Sequence, residues 1–505
     1  MKKLIRRIAL FLAVLIALTA VITACKPKGD DDDGNGGGWS LGDSGKAATP
    51  DNIPEDTDFG GYQFKVLHRA GMQYTECQGN IEGEAVNPVH RTVYERNMRV
   101  EMRLNCKMKY ISTNSGTLEE TATEVRNHLE AEDYYDYFML TNNLIVTRKR
   151  NHQLCDFNDA EYVEYHQPWW WEDVMEEIAF DGRTINYLVG DINIGNFNKM
   201  SAFYFNFDLI KTILQKEPQY FYDLVNEGKW TIEKVDQLSA LCYRDYNGNG
   251  DEDEGDLFAF PWTGGEVANQ FIHSTRIASN YYTRNDDGSV TINMHNNEDI
   301  YQVVEAVRHL LRENKAVRNY SSTPAGTFDS LIIEEFAAGK YVFLAQRLTA
   351  ACSDYLREMT ALYGILPYPT LSEGDEYLSF IQESSSCISC PKIAEKNLEM
   401  IGICIEAQCS EAYRYTTDAF FNMALKNKYT NDIESAKMVD TIYQTAHKSF
   451  LVEYASAAQG ITGCMNSAVA ANSNTITSLL ESKRGAEQSI NMYIAETKAS
   501  LLGYT

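Results

Sequence analysis

Alternating strand-like and helix-like segments predict an α/β fold with a mostly parallel sheet covered on both faces. Residues 61–67, 107–111 and 135–140 have the short apolar or alternating pattern of strands. Amphipathic helical stretches over 88–104 and 117–129 lie between them. At a prior of about 150 residues per domain, residues 58–505 are long for one core, so two or three domains are expected.

The chain opens with Lys2, Lys3, Arg6 and Arg7, then runs uncharged from Ile8 to Ile22 and ends the run in Thr23-Ala24-Cys25. This is the layout of a secretory signal over residues 1–24, and the run is shorter than the roughly 20 apolar residues a membrane span needs. A Cys directly after small residues resembles the lipobox of bacterial lipoproteins, which implies acylation at Cys25 and a protein held to the membrane's outer face by lipid alone. Residues 25–57, with Asp30–Asp33 and a Gly-rich stretch, cannot bury enough area to offset chain entropy and form a tether. Removing the four basic residues of the leader takes the net charge from −26 to −30. So acidic a chain is repelled by nucleic acid and by anionic lipid.

Ten Cys remain after Cys25. An even number in an exported chain permits disulfides, but the spacing is irregular, and Cys387-Ile-Ser-Cys390 has no second pair or His pair near it, so zinc and thioredoxin-like chemistry are disfavoured and buried free thiols expected.

Ligands of α/β sheets gather at the carboxyl ends of strands. Arg69 follows the first strand, and Thr141 and Asn142 follow the strand at 135–140, which places all three on a candidate binding rim. Trp169, Trp170 and Trp171 are adjacent; a flat aromatic face can grip a sugar ring, while large rings also favour the core. Asp181-Gly182 reads as a hairpin turn between Ile178–Phe180 and Ile185–Val189. A strand follows at 203–207, entered through the polar segment 193–200, where a passage between lobes could lie.

Thr231 caps a helix with Ile232, Val235, Leu238 and Leu241 on one face. At its end, Asp245, Asn247, Asn249, Asp253 and Asp256 occupy positions 1, 3, 5, 9 and 12 of a calcium-loop pattern, Asp251 stands at position 7, and Gly250 holds the turn. Oxygens at this spacing converge on a hard cation, and a strand-like 257–260 in place of a second helix makes the ion a structural clip. Trp262 on a Gly-rich loop is a second candidate platform. Helices are expected at 297–315 and at 330–338, closed by Gly339, then a buried strand at 341–345 with Arg347 at its carboxyl end. Further helices are expected at 397–409, 412–425, 433–445 and 475–501.

In this order the segments resemble a family 1 extracellular solute-binding protein of a bacterial ABC importer, the carbohydrate-binding type, over about 60–505. The likeness rests on the lipobox and tether, Val93-Tyr94-Glu95-Arg96-Asn97, Tyr135–Phe138, Pro168-Trp169-Trp170, Phe203–Leu209 with Asn206, Lys229-Trp230-Thr231, the Asp245–Asp256 loop, Phe336–Phe343 and Gly364–Pro369. The resemblance implies a two-lobe periplasmic-binding-protein-like fold with a ligand cleft between the lobes. It implies passages near 192–202, 366–372 and 425–430, one lobe of 58–198 plus 370–427, and another of 199–369 plus 428–505. Arg69, Thr141, Asn142, Asn206 and Arg347 would bond sugar hydroxyls, Trp169, Trp170 and Trp262 would stack on rings, and permease subunits would be partners. The chain departs from the family pattern in its Cys content and in a Trp triplet where two Trp are usual.

The implied function is capture of a sugar, with an oligosaccharide favoured, and no catalysis. The alternative is an exported glycoside hydrolase, which needs two carboxylates across one bond; a surface adhesin is a weaker third. No G-x-S-x-G, H-E-x-x-H or phosphate loop is present, and the nine His have no metal spacing.

Overall fold

A computed structural model describes residues 49–81, 87–114, 117–131, 134–146, 151–262, 264–320, 328–426, 433–471 and 475–501. The leader, Cys25 and the tether up to residue 48 lie outside the described residues.

The strands, in chain order, are β1 (Tyr62–His68), β2 (Cys106–Ser112), β3 (Tyr137–Thr141), β4 (Ser201–Asn206), β5 (Phe260–Trp262), β6 (Tyr282–Arg284), β7 (Val290–Ile292), β8 (Val317–Asn319), β9 (Phe343–Arg347), β10 (Tyr363–Leu366), β11 (Ser379–Phe380), β12 (Ser386–Ser389) and β13 (Ala446–His447).

The first sheet has the order β12-β3-β1-β2, with β1 parallel to both β2 and β3. The helix Pro88–Arg103 begins where Asn87 accepts a hydrogen bond from the Val89 N–H and Pro88 takes the first turn, a position whose N–H has no helical partner anyway. It buries Val89, Val93 and Val100 together with Arg96. The Arg96 guanidinium is fully buried but donates to the Glu76 carbonyl (2.8 Å) and to Asn97 Oδ1, which offsets part of its desolvation; its Nη1 has no partner among the described residues.

The second sheet, β10-β4-β9, is antiparallel throughout, a difference from the expected parallel arrangement. Beside it, β5 and β8 run parallel. Its core is aromatic: Phe203 contacts Trp230, Phe260, Phe271, Phe343 and Tyr368 edge-on or tilted, with ring centroids 5.5–6.3 Å apart. Trp230 is fully buried and its indole N–H donates to the Pro367 carbonyl at 3.0 Å. The next residue, Thr231, caps the helix Ile232–Ser239 by accepting from the Lys234 N–H.

Three stretches run side by side between the sheets. Met200 bridges Ile381, Ser201 Oγ donates to the Phe380 carbonyl (3.0 Å), and β11 pairs parallel with β13. Asn196 clamps the first two stretches: its amide donates to the Ser386 carbonyl (2.9 Å) and its Oδ1 accepts from the Ser386 N–H (2.6 Å). The chain therefore returns to the first sheet over 381–386, not near 366–372. Pro367 and Pro369 do end β10, yet Thr370 bridges Thr231 and the Tyr377 hydroxyl donates to the Val225 carbonyl, so this segment stays with the second sheet. The passage expected near 425–430 falls on residues 427–430, outside the described residues, and partly on helix Thr417–Lys426.

Other expectations are corrected locally. Residues 178–189 form no hairpin: Ile178 ends the helix Glu172–Ile178, and Leu188 bridges Ile388 instead. The turn itself exists, with Gly182 at φ +73 and its N–H donating to the Ala179 carbonyl. The helix expected over 475–501 is broken into Ile476–Glu481 and Ala486–Leu501.

Asn196→Ala should leave both backbone groups of Ser386 without a partner in the core. The expected loss is about 2–4 kcal/mol of unfolding free energy, read from urea denaturation at constant m; a loss below about 0.5 kcal/mol would contradict the clamp.

Candidate functional site

A cavity of about 240 Å³ opens where the stretches run together. Lys199, Ser201, Phe380, Gln382 and Glu383 line it from these stretches, Glu266, Asn269 and Gln270 from the helix Gly264–His273, and Asn466 from the helix Gly463–Ala470. Eight of the nine lining residues carry polar side chains, Phe380 being the exception. Asn466 donates to Asn269 Oδ1 (2.6 Å), while its own Oδ1 is buried and has no hydrogen-bond partner among the described residues.

Charges are balanced around the cavity. Arg347 ends β9, where its backbone pairs with Ser201. Its guanidinium donates to Gln382 Oε1 (2.6 Å) and forms ion pairs with Glu266 (3.2 Å) and Asp329. Arg347 thus orients two lining side chains from the cavity wall. Lys199 donates to Ser384 Oγ at 2.8 Å. Its ammonium pKa is lowered, first by burial and then by Arg347 and Arg69. Arg69, at the end of β1, therefore lies in the same electrostatic neighbourhood. Behind Lys199, Glu76 is fully buried and its pKa is pushed up to about 7, mainly by desolvation, against hydrogen bonds from Ser386 and the Gly195 backbone.

The other sequence-derived candidates lie elsewhere. Thr141 and Asn142 are buried; Thr141 Oγ1 donates to Asn143 Oδ1, and the Asn142 amide donates to Glu453 Oε2 (3.0 Å). Glu453 in turn pairs with Lys448 at 2.9 Å, both side chains being at most 1 % exposed, so Asn142 serves an internal ion pair. Asn206 stands at the opposite end of β4 from Ser201 and caps the next helix through the Asp208 and Leu209 N–H groups. Trp262 is 2 % exposed in β5 and offers no open face.

Trp169 and Trp170 are core residues, not a platform. They are 0 % and 5 % exposed, and both indoles donate to the Glu406 carboxylate, at 2.9 and 2.7 Å. A buried indole needs an acceptor for its N–H, and the two oxygens of one carboxyl group supply two. Trp171 donates to Asp191 Oδ1 (3.0 Å) and packs edge-on against Phe197 at 5.4 Å. Sequence reasoning missed Glu266, Asn269, Gln270, Gln382, Glu383 and Asn466. The pair Gly264-Gly265 has the look of a loop but opens a helix, and the polar run at 382–386 carries no sequence mark of a passage between sheets.

In the loop after the helix Ile232–Ser239, Asp245 accepts from the Gly248 (2.5 Å) and Gly250 (2.9 Å) N–H groups. Asn247 and Asn249 both donate to Asp253. Asp256 is 4 % exposed; one oxygen accepts from Tyr243 and from the Asp253 N–H, and its Oδ1 has no partner among the described residues. Among the described residues no three His, Cys, Asp or Glu side chains already form a metal-ligand cluster. The donor set is nonetheless all oxygen, gathered within one loop, with a buried orphan oxygen at its base, and this chemistry fits a hard cation.

No family profile and no curated protein matches the sequence. Solved structures do match in fold. The cyclic alpha-maltosyl-1,6-maltose binding protein of Arthrobacter globiformis aligns over 86% of this chain and 100% of its own at TM-score 0.55 and 11% identity. UgpB of Mycobacterium tuberculosis, in complex with glycerophosphocholine, aligns over 87% and 99% at TM-score 0.52 and 12% identity. A family 1 extracellular solute-binding protein of Bifidobacterium longum subsp. infantis aligns over 86% and 100% at TM-score 0.50 and 12% identity. The chain therefore has the mixed α/β, periplasmic-binding-protein-like fold of these proteins. Among the described residues no helix is long and apolar enough to cross a membrane.

Burial pushes the Glu406 pKa up to about 8 despite the two indole donors. The folded protein then holds a proton that the unfolded chain releases near pH 4.5, so stability from this group falls as pH rises from about 4.5 through 8. Glu406→Gln should flatten that fall in denaturation midpoints taken between about pH 5 and 8.5; parallel curves would contradict the raised value.

Proposed function

We propose that the protein is the extracellular ligand-capturing component of an ABC importer and that it binds a sugar, without chemical change, in the cavity between its two sheets. The observation that carries this reading is the cavity itself, lined by polar side chains from four separate parts of the chain at the place where the sheets are joined. Hydroxyl groups need donors and acceptors, and Lys199, Gln382, Glu383, Asn269 and Asn466 offer both. Proteins of the same fold bind a cyclic maltose derivative and glycerophosphocholine. At about 240 Å³ the cavity is smaller than the roughly 300–1,000 Å³ of drug-sized sites, so it suits a small sugar or one end of an oligosaccharide.

Closure of the sheets on the ligand would be a hinge motion through the crossing stretches. Cys25 would carry the lipid, with permease subunits as the receiving partner. The loop Asp245–Asp256 would hold structural Ca²⁺ through Asp245, Asn247, Asn249, Asp253 and Asp256, with Asp251 contributing through its backbone.

A thermal-shift screen against mono- and oligosaccharides tests the first claim, because a ligand that binds only the folded state raises the midpoint. One sugar class should raise it and be recovered intact; cleavage of that sugar, or no shift with any sugar, would contradict the reading. Asn466→Ala should weaken that sugar roughly 3–10-fold, the worth of one hydrogen bond. Removing Ca²⁺ with a chelator should lower the midpoint of the wild type and leave Asp256→Asn unchanged; equal midpoints of the wild type with and without chelator would refute the ion.

A further inference from the structure

Cys387-Ile-Ser-Cys390 has C-x-x-C spacing, but β12 is extended, and residues three apart in a strand face opposite ways. Cys387 stands opposite Leu140 and within electrostatic reach of Lys448 and Glu453. Cys390 has a different neighbour. Leu154 bridges Pro391 antiparallel, which sets Cys155 directly across from Cys390, and the Cys155 N–H donates to the Cys390 carbonyl at 2.8 Å. Residues directly opposite in an antiparallel pair project to the same side with Cα atoms about 4.5–5.5 Å apart, inside the roughly 4.4–6.8 Å range of disulfides. The two thiols do turn to one side: the Cys155 and Cys390 sulfurs lie 3.5 and 3.7 Å from the same Pro391 carbonyl oxygen. The Cys155 thiol is also the largest influence raising the Cys390 pKa. Both residues are fully buried.

From this cross-strand geometry we infer that Cys155 and Cys390 form a disulfide when the chain folds in an oxidising compartment. The reaction is exchange with a small-molecule or protein disulfide. One protein thiolate attacks that disulfide, breaks its S–S bond and releases one thiol. The second protein thiolate then attacks the mixed disulfide, forms the Cys155–Cys390 bond and releases the second thiol. Two electrons pass to the oxidant, and the two protons of the protein thiols end on the released thiols. Exchange precedes burial, as β12 docks beside β3. The bond ties the segment at 151–157 to the strand that follows the crossing at Ile381, so the whole excursion through the second sheet lies within one covalent loop.

The test is differential alkylation of the full chain, exported to an oxidising compartment, unfolded without reductant and mapped by peptide mass spectrometry. A peptide pair linked through Cys155 and Cys390, lost on reduction, is the expected result. Reduction should also lower the thermal midpoint by at least about 3 °C, an effect absent in Cys155→Ala/Cys390→Ala. Full alkylation of Cys155 and Cys390 before reduction, or linkage of either to another cysteine, would overturn the assignment. The mapping is done on the native sequence, so it decides even where the variant folds poorly.

Discussion

The architecture depends on backbone hydrogen bonds that hold three passing stretches of chain together between two sheets. Where these stretches are buried, their N–H and C=O groups must find partners within the protein. Met200 and Ile381 supply a bridge, β11 and β13 a short parallel pair, and the Asn196 amide satisfies both polar groups of Ser386. Lys448 and Glu453 add a buried ion pair completed by Asn142. Such a pair is weak evidence for stability, because desolvation consumes most of its Coulombic gain. Its value here is registration: it fixes the stretch after β13 against the end of β3.

The same arrangement explains where the cavity lies. Side chains just before β4, at the end of β11 and immediately after it converge because those stretches are hydrogen-bonded neighbours. Helices Gly264–His273 and Gly463–Ala470, distant in sequence, close the remaining wall. The cavity presents many polar side chains, with Glu266 paired to Arg347 and Lys199 set near Arg347, Arg69 and Glu76. That balance suits a hydroxyl-rich solute, which needs directional hydrogen bonds more than net charge.

Much of the first sheet was legible because its strands and helices are local and strongly patterned. Residues 61–67, 88–104, 107–111 and 117–129 match the observed elements within a residue or two. The second sheet was harder, because antiparallel β4, β9 and β10 have the same apolar content as parallel strands. The Trp triplet misled for a physical reason. A ring that could stack on a sugar can equally fill a core, and only the distant Glu406, invisible by spacing, decides between them. Arg347 and Arg69 were singled out from their places at strand ends; neither lines the cavity, but Arg347 pairs with its Glu266 and both lower the Lys199 pKa. Asn206 followed the same rule and failed, since β4 runs so that its first residue, not its last, meets the cavity. Residues on the walls from 264–273 and 463–470 carried no local signal at all.

The proposal that a ligand seats where the sheets are joined is tested most directly by hydrogen–deuterium exchange with and without a saturating sugar. Slower exchange is predicted over residues 193–201, 379–386 and 445–449 and across the wall helix Gly463–Ala470, with the outer helix Pro88–Arg103 unchanged. Protection confined to other surfaces, with these stretches exchanging as fast as in the free protein, would contradict it.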